Sequence, residues 1–163
     1  MISDKMSALL NEQMNREFFN NRLYLSMATY FYSINLEGFA RWMEQQAGEE
    51  TGHAMRLYKQ LQERGARILL GAVAAPPTEW KSPLAAFEDA YKHECKVSKE
   101  FDELVAKAQA AKDNATLNFL QWFIAEQVEE EASVDAIVQK LKMAGNSVGA
   151  LMILDQKLGQ RGK

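Results

Sequence analysis

Four stretches of the chain carry the apolar spacing of long amphipathic helices, and each stripe is interrupted near its midpoint by side chains that ligate metals. The interruptions are Glu17; Glu50 with His53; Glu94; and Gln127 with Glu130. In the second stretch Phe39, Met43, Gln46, Glu50, His53 and Leu57 follow alternating steps of four and three, which keeps all of them on one helix face. The fourth repeats the pattern with Leu120, Phe123, Gln127, Glu130, Val134, Ile137 and Leu141, and the third with Phe87, Tyr91, Glu94, Val97, Phe101 and Leu104. The inward row of the first is Met6, Leu10, Glu17, Tyr24, Met27 and Phe31. Ionisable groups thus stand where leucine is expected. A lone buried carboxylate costs several kcal/mol, so it is normally protonated, paired or bound to a metal. Several at one depth imply a cation.

The spacing predicts a first helix from Ser3 or Asp4 to about Ser33 and a second from Glu37 or Gly38 to about Arg64, with Gly65 as its stop. Residues 66–81, with Gly71 and Pro76-Pro77, lack helical periodicity and read as a connector. Ser82-Pro83 starts a third helix reaching about Gln109, because serine caps and proline fits the first turn. A break at Asp113-Asn114 leads to a fourth helix ending at Gly145, and residues 148–159 form a short fifth. Helices joined by short turns should be antiparallel. A 28-residue helix is ~42 Å long, and the connector can extend to ~50 Å, enough to let helices two and three run parallel. The predicted fold is all-α: a four-helix bundle with one long crossover between helices two and three, plus a short C-terminal helix, as a single domain over 1–163.

With 163 residues and 47 % hydrophobic content, the chain can bury a substantial core alone. A net charge of −3 without a dense Lys/Arg tract argues against nucleic acid as a partner. No apolar run is long enough for a bilayer, so no membrane association is expected. Met1-Ile2-Ser3-Asp4-Lys5 lacks the pattern of an export leader, and the single Cys95, read as a small packed residue, suits a reducing compartment. The cytoplasm is the expected location.

Oxygen-rich ligation with one imidazole suits iron or manganese better than structural zinc, and iron best. Glu50 can bridge two metals if Glu17 and His53 complete one side and Glu94 and Glu130 the other. Gln127 can coordinate weakly or hydrogen-bond a bound oxygen species.

The pattern resembles the ferritins, specifically the prokaryotic non-haem ferritins. It covers essentially the whole chain: Asn11-Glu12-Gln13 and Glu17, Glu49-Glu50-Thr51-Gly52-His53, Asn118-Phe119-Leu120-Gln121-Trp122-Phe123 with Glu126-Gln127, and Asp155-Gln156-Lys157-Leu158. Such bundles are a known setting for one crossover and inward Glu and Glu-x-x-His ligands. The resemblance implies a ferroxidase that oxidises Fe²⁺ with dioxygen or hydrogen peroxide and stores Fe³⁺ as mineral inside a homo-oligomeric shell of 24 subunits. Glu17, Glu50 and His53 then match the ligands of one iron, and Glu50, Glu94 and Glu130 those of the second, with Gln127 beside it. Glu49, Glu126 and Glu129, together with Glu130, match a third iron site; the alternative for Glu126 and Glu129 is a solvated acidic face. Tyr24 resembles the tyrosine beside the diiron site that supplies an electron. Trp122 is a second donor or a packing residue.

Departures from related families sharpen this. The fourth helix carries Gln127-Val128-Glu129-Glu130 in place of a second Glu-x-x-His, which implies a second iron held less firmly and passed onward. Thr51 stands where haem-binding relatives place an axial methionine, so no haem is expected, and Met27, Met43 and Met55 read as core or interface packing. His93 reads as a surface or edge residue, and Asp113 and Asn114 as candidates for a cation entry. Two other functions compete: a diiron oxidase or peroxide reductase that never mineralises iron, and a helical interaction protein. The apolar residues of the fifth helix favour the shell.

Overall fold

In a computed structural model, which describes residues 1–161, five helices form in chain order: α1 Asp4–Ser33, α2 Glu37–Glu63, α3 Pro83–Ala110, α4 Asn114–Ala144 and α5 Val148–Leu158. The fold is the four-helix bundle with one crossover and a short fifth helix. Local chemistry sets the boundaries. Ser3, Ser82, Asp113 and Ser147 each accept a hydrogen bond from the backbone N–H three residues on, and Pro83 opens α3 where no donor is lost. Asn35, Gly65 and Lys112 sit at positive φ (61°, 70° and 54°) after α1, α2 and α3. At each, the residue's own N–H and that of its successor bond back to the last helical turn, the left-handed C-terminal motif that stops a helix and reverses the chain. Two of these turns make the antiparallel pairs α1–α2 and α3–α4, which pack closely.

The crossover is strapped along α1. Asn11 donates to Arg67 O and accepts from Leu69 N, Asn15 donates to Leu69 O and accepts from Gly71 N, and Ser26 donates to Pro77 O. Later crossover residues therefore meet later α1 residues, so the segment runs parallel to α1 and carries the chain the length of the bundle. Asparagine side chains here satisfy backbone groups that lack a sheet or helix partner. At the far end Trp80 donates to Asp89 at 3.0 Å and packs on Tyr30, which seats the start of α3. α3 consequently runs parallel to α2.

Two apolar clusters fill the bundle. One holds Phe31, Phe39, Trp42, Met43, Phe87, Val134 and Leu154; the other holds Leu10, Met14, Leu57, Phe101, Leu120 and Phe123. The interrupted midpoints of all four helices fall between them. Met27 and Met43 are core residues as expected, whereas Met55 is 47 % exposed and is not part of the core. Tyr91 and Cys95 are half-buried instead of packed inside, because the stripe of α3 drifts toward its edge there. No described helix is long and apolar enough to cross a membrane.

Candidate metal centre

The bundle brings Glu17 from α1, Glu50 and His53 from α2, Glu94 from α3 and Gln127 and Glu130 from α4 to one level. None is more than 4 % exposed. Their helices converge because each ligand lies near its helix midpoint and the helices are close to equal in length, 27 to 31 residues. Glu17, Glu50 and His53 each place a ligand atom within 4.8 Å of the other two. A second trio, His53, Glu126 and Glu130, meets the same limit, so His53 stands between two donor groups. His53 Nδ1 lies 3.4 Å from Glu50 Oε2.

Polar side chains hold the carboxylates, and two of them, Gln13 and Asn20, are singled out by no ligand pattern in the sequence. Gln13 donates to Glu17 Oε1 at 2.7 Å, and Asn20 donates to Glu17 Oε2 at 2.9 Å and to Glu50 Oε2 at 3.4 Å. Gln46 donates to Glu130 Oε2 at 2.6 Å and Glu50 Oε1 at 3.3 Å. Gln127 donates to Glu94 Oε2 at 3.1 Å, and the Tyr24 hydroxyl donates to Glu94 Oε1. His93, expected as a surface or edge residue, is half-buried at the edge of this layer, and its Nε2 lies 2.8 Å from Asn20 Oδ1. Burial first, and Lys96 second, lower its pKa to about 4, so the neutral ring donates to Asn20 and fixes the amide. Gln13 and Asn20 lie on the inward face of α1 at helical spacing from Glu17, which is the signal that could have found them, as the inward row of α2 already included Gln46.

Charge in this layer is uncompensated. Burial first, then Glu50, raises Glu17 well above the ordinary carboxylate range; burial, Glu94 and Glu130 do the same to Glu50. Burial raises Glu94 against the opposing hydrogen bond from Tyr24, and burial with Glu94 raises Glu130 to about 7. Burial and Glu94 hold the Tyr24 hydroxyl well above its usual range, so it stays protonated. Among the described residues no lysine or arginine pairs with Glu17, Glu50, Glu94 or Glu130. Four carboxylates therefore share one imidazole and a ring of amides. Two divalent cations would balance four carboxylates, and the donor set of oxygens with one nitrogen suits iron.

The expected third group is less gathered. Glu126 and Glu130 meet at His53, Glu49 pairs with Arg161 at 2.8 Å, and Glu129 is exposed. Trp122 packs edge-on to His53 with centroids 5.6 Å apart, and the Arg56 guanidinium lies over its ring at 4.1 Å from the centroid. Asp113, read as a candidate entry residue, is committed elsewhere: it caps α4 and pairs with Arg64 at 3.2 Å.

The family model described as the ferritin-like domain matches residues 7–144. The chain belongs to the ferritin family. Among its relatives, a bacterial non-heme ferritin of Bacteroides fragilis is 44 % identical over 99 % of this chain and 100 % of its own. A bacterial non-heme ferritin of Staphylococcus aureus is 38 % identical, with 99 % and 97 % covered. Among solved structures, an open-pore ferritin from the archaeon Archaeoglobus fulgidus superposes with a TM-score of 0.98 at 53 % identity, covering 99 % of each chain. A humanized archaeal ferritin gives 0.99 at 52 %, with 100 % of each chain covered. The ferritin fold is thus shared end to end, including α5, which lies beyond the matched domain.

Proposed function

We propose that the chain is an iron-storage ferritin with ferroxidase activity, in which Fe²⁺ is substrate and cargo. The observation that carries this reading is the buried layer of Glu17, Glu50, Glu94 and Glu130, drawn from four helices, with which no lysine or arginine among the described residues pairs. Two Fe²⁺ ions complete that charge balance. In the proposal Glu17, Glu50 and His53 hold one ion and Glu50, Glu94 and Glu130 the other, with Gln127 oriented by Glu94. Binding displaces the protons that burial otherwise retains on these carboxylates.

Two Fe²⁺ ions give one electron each. Dioxygen takes both electrons with two protons to give hydrogen peroxide, or hydrogen peroxide takes them with two protons to give two waters. The carboxylates stabilise the growing positive charge without having to reorganise. Tyr24 is an oxidisable side chain in direct contact with Glu94, and its hydrogen bond gives Glu94 as the proton acceptor if it supplies a further electron. The Fe³⁺ product then moves toward Glu126, Glu129 and Glu49 and is stored as mineral in a shell of 24 subunits, in the cytoplasm. Exposed apolar side chains, among them Leu70, Met143, Val148 and Ile153, each at least 70 % exposed in the single chain, are what a shell would bury between subunits.

The test is size-exclusion chromatography with light scattering, followed by iron analysis after aerobic Fe²⁺ addition. A particle of about 24 times the 18.5 kDa chain that remains soluble with far more than two irons per subunit is the expected result. A monomer or dimer saturating at two irons would overturn storage and favour a diiron oxidase or peroxide reductase.

A further inference from the structure

After α5 the backbone turns back, and Arg161 reaches the acidic side of α2. Its Nη2 donates to Glu49 Oε2 at 2.8 Å and its Nη1 to Gln46 Oε1 at 3.0 Å, while the guanidinium lies 4.5 Å from the centroid of the Trp42 ring. Trp42, Gln46 and Glu49 are spaced by four and three residues, so one helix face supplies all three contacts. The planar cation is held by both amino groups and by its π face, a geometry that lysine cannot reproduce.

The contacts tie the C-terminal tail to the metal centre. Gln46 turns its carbonyl to Arg161, which directs its NH₂ to Glu130 and Glu50. Glu49 is one of the charges that raise Glu130, after burial and Glu94. Glu130 in turn shares the donor group with Glu126 and His53. An acidic strip therefore runs from the dinuclear layer to Glu49, and a cation of the chain itself occupies its outer end. The pair is partly open to solvent, with side-chain exposures of 25 % and 40 %, so it can exchange for a competing cation.

We propose that Arg161 is the resident counter-cation of Glu49. Its guanidinium fills the place that a third divalent cation would take beside Glu126 and Glu130. Docking of the tail thus limits each subunit to two tightly held divalent cations, and a third binds only as Arg161 leaves. Release also frees the Gln46 carbonyl as an oxygen donor. The inference rests on the reading of Glu49, Glu126, Glu129 and Glu130 as a third iron site.

The test is calorimetric titration of the assembled, metal-free protein with Co²⁺, which does not oxidise during the measurement. Wild type should bind two ions per subunit tightly. Arg161→Gln should bind a third at least about tenfold more tightly than wild type, the loss of one close unit charge being ample for this. Arg161→Lys, which keeps the positive charge but not the paired amino and π-face contacts, should fall between wild type and Arg161→Gln, and Arg161→Gln/Glu49→Gln should lose the added ion. Three equally tight ions in wild type and Arg161→Gln would overturn the role of Arg161 and leave the third site standing. Two in both would overturn the role and the site together. An added ion that survives in the double variant does not lie at Glu49, which also overturns the proposal. Unchanged elution of each variant establishes that the shell is intact.

Discussion

Asp155 Oδ1 accepts a hydrogen bond from the backbone N–H of Phe39 at 3.0 Å, across 116 residues of sequence. Leu36, which precedes α2, offers no side-chain acceptor, so the free donors of that helix start are met by α5 instead of by the helix's own cap. The same contact explains Gly38. A Cβ there would lie 1.7 Å from Asp155 O, a backbone atom that cannot yield without moving α5.

Gly38→Ala is accordingly expected to undock α5 while leaving the bundle helical, and to cost roughly 1–3 kcal/mol, as overpacking does. Asp155→Ala should cost about 1 kcal/mol, the usual loss for a helix N-cap. Denaturant melts of both variants check this. Gly38→Ala melting with the wild-type midpoint would refute the close packing.

Lys112 holds φ at 54° in the turn between α3 and α4. A side chain with Cβ pays about 1–2 kcal/mol for this conformation, offset in part by the greater chain entropy that glycine loses on folding. Lys112→Gly should therefore stabilise the protein by about 0.5–1 kcal/mol, read as a higher urea midpoint at unchanged slope. Asn35→Gly should gain less, because asparagine tolerates the left-handed region.

Glu50 lies in the trio with Glu17 and His53 and interacts with Glu94 and Glu130. Glu50→Ala should slow the rapid oxidation of the first two Fe²⁺ per subunit by about a hundredfold or more, since it strips a ligand from both proposed ions. Stopped-flow absorbance of ferric products measures it. Survival of the fast phase would show that Glu50 is not the bridge.

Glu130, raised to about 7 from an ordinary 4.5, sets a pH dependence. Between these values the folded metal-free protein holds a proton that the unfolded chain has lost. The stabilisation is full below about pH 4.5 and is lost as pH rises through 7, with a ceiling on the order of 3 kcal/mol. Metal-free wild type should thus lose stability from pH 5 to 7.5 more steeply than Glu130→Gln, in paired denaturant melts. Cation affinity should run the opposite way and rise over the same window, because the cation must displace the proton. Equal slopes for the two proteins would remove Glu130 as the titrating group.

Most of the fold was legible because its determinants are local. Ser3, Ser82-Pro83, Gly65 and Gly145 mark helix ends by their own chemistry, and the stripes through Glu50, His53, Gln127 and Glu130 state which faces turn inward. The supporting shell was harder to read. Asn20 and His93 are unremarkable apart, and only the approach of α3 to α1 makes His93 a neutral donor to the amide that holds Glu17 and Glu50. Asp113 could be read equally as a capping residue or as a cation ligand, and the hydrogen bond it accepts from the Thr116 N–H, with Arg64 paired to it from 49 residues away, decided for the cap.

The sequence by itself determined five helices, their boundaries, the crossover and a row of buried carboxylates at one depth, since helical periodicity and capping act over a few residues. Only the tertiary structure decided which amide orients which carboxylate, that α5 caps α2 through Asp155, and that Arg161 rather than solvent faces Glu49. The contacts that cross between helices join residues 30 to 116 positions apart. Their energies depend on distances of a few tenths of an ångström, which no pattern of residue types along the chain encodes.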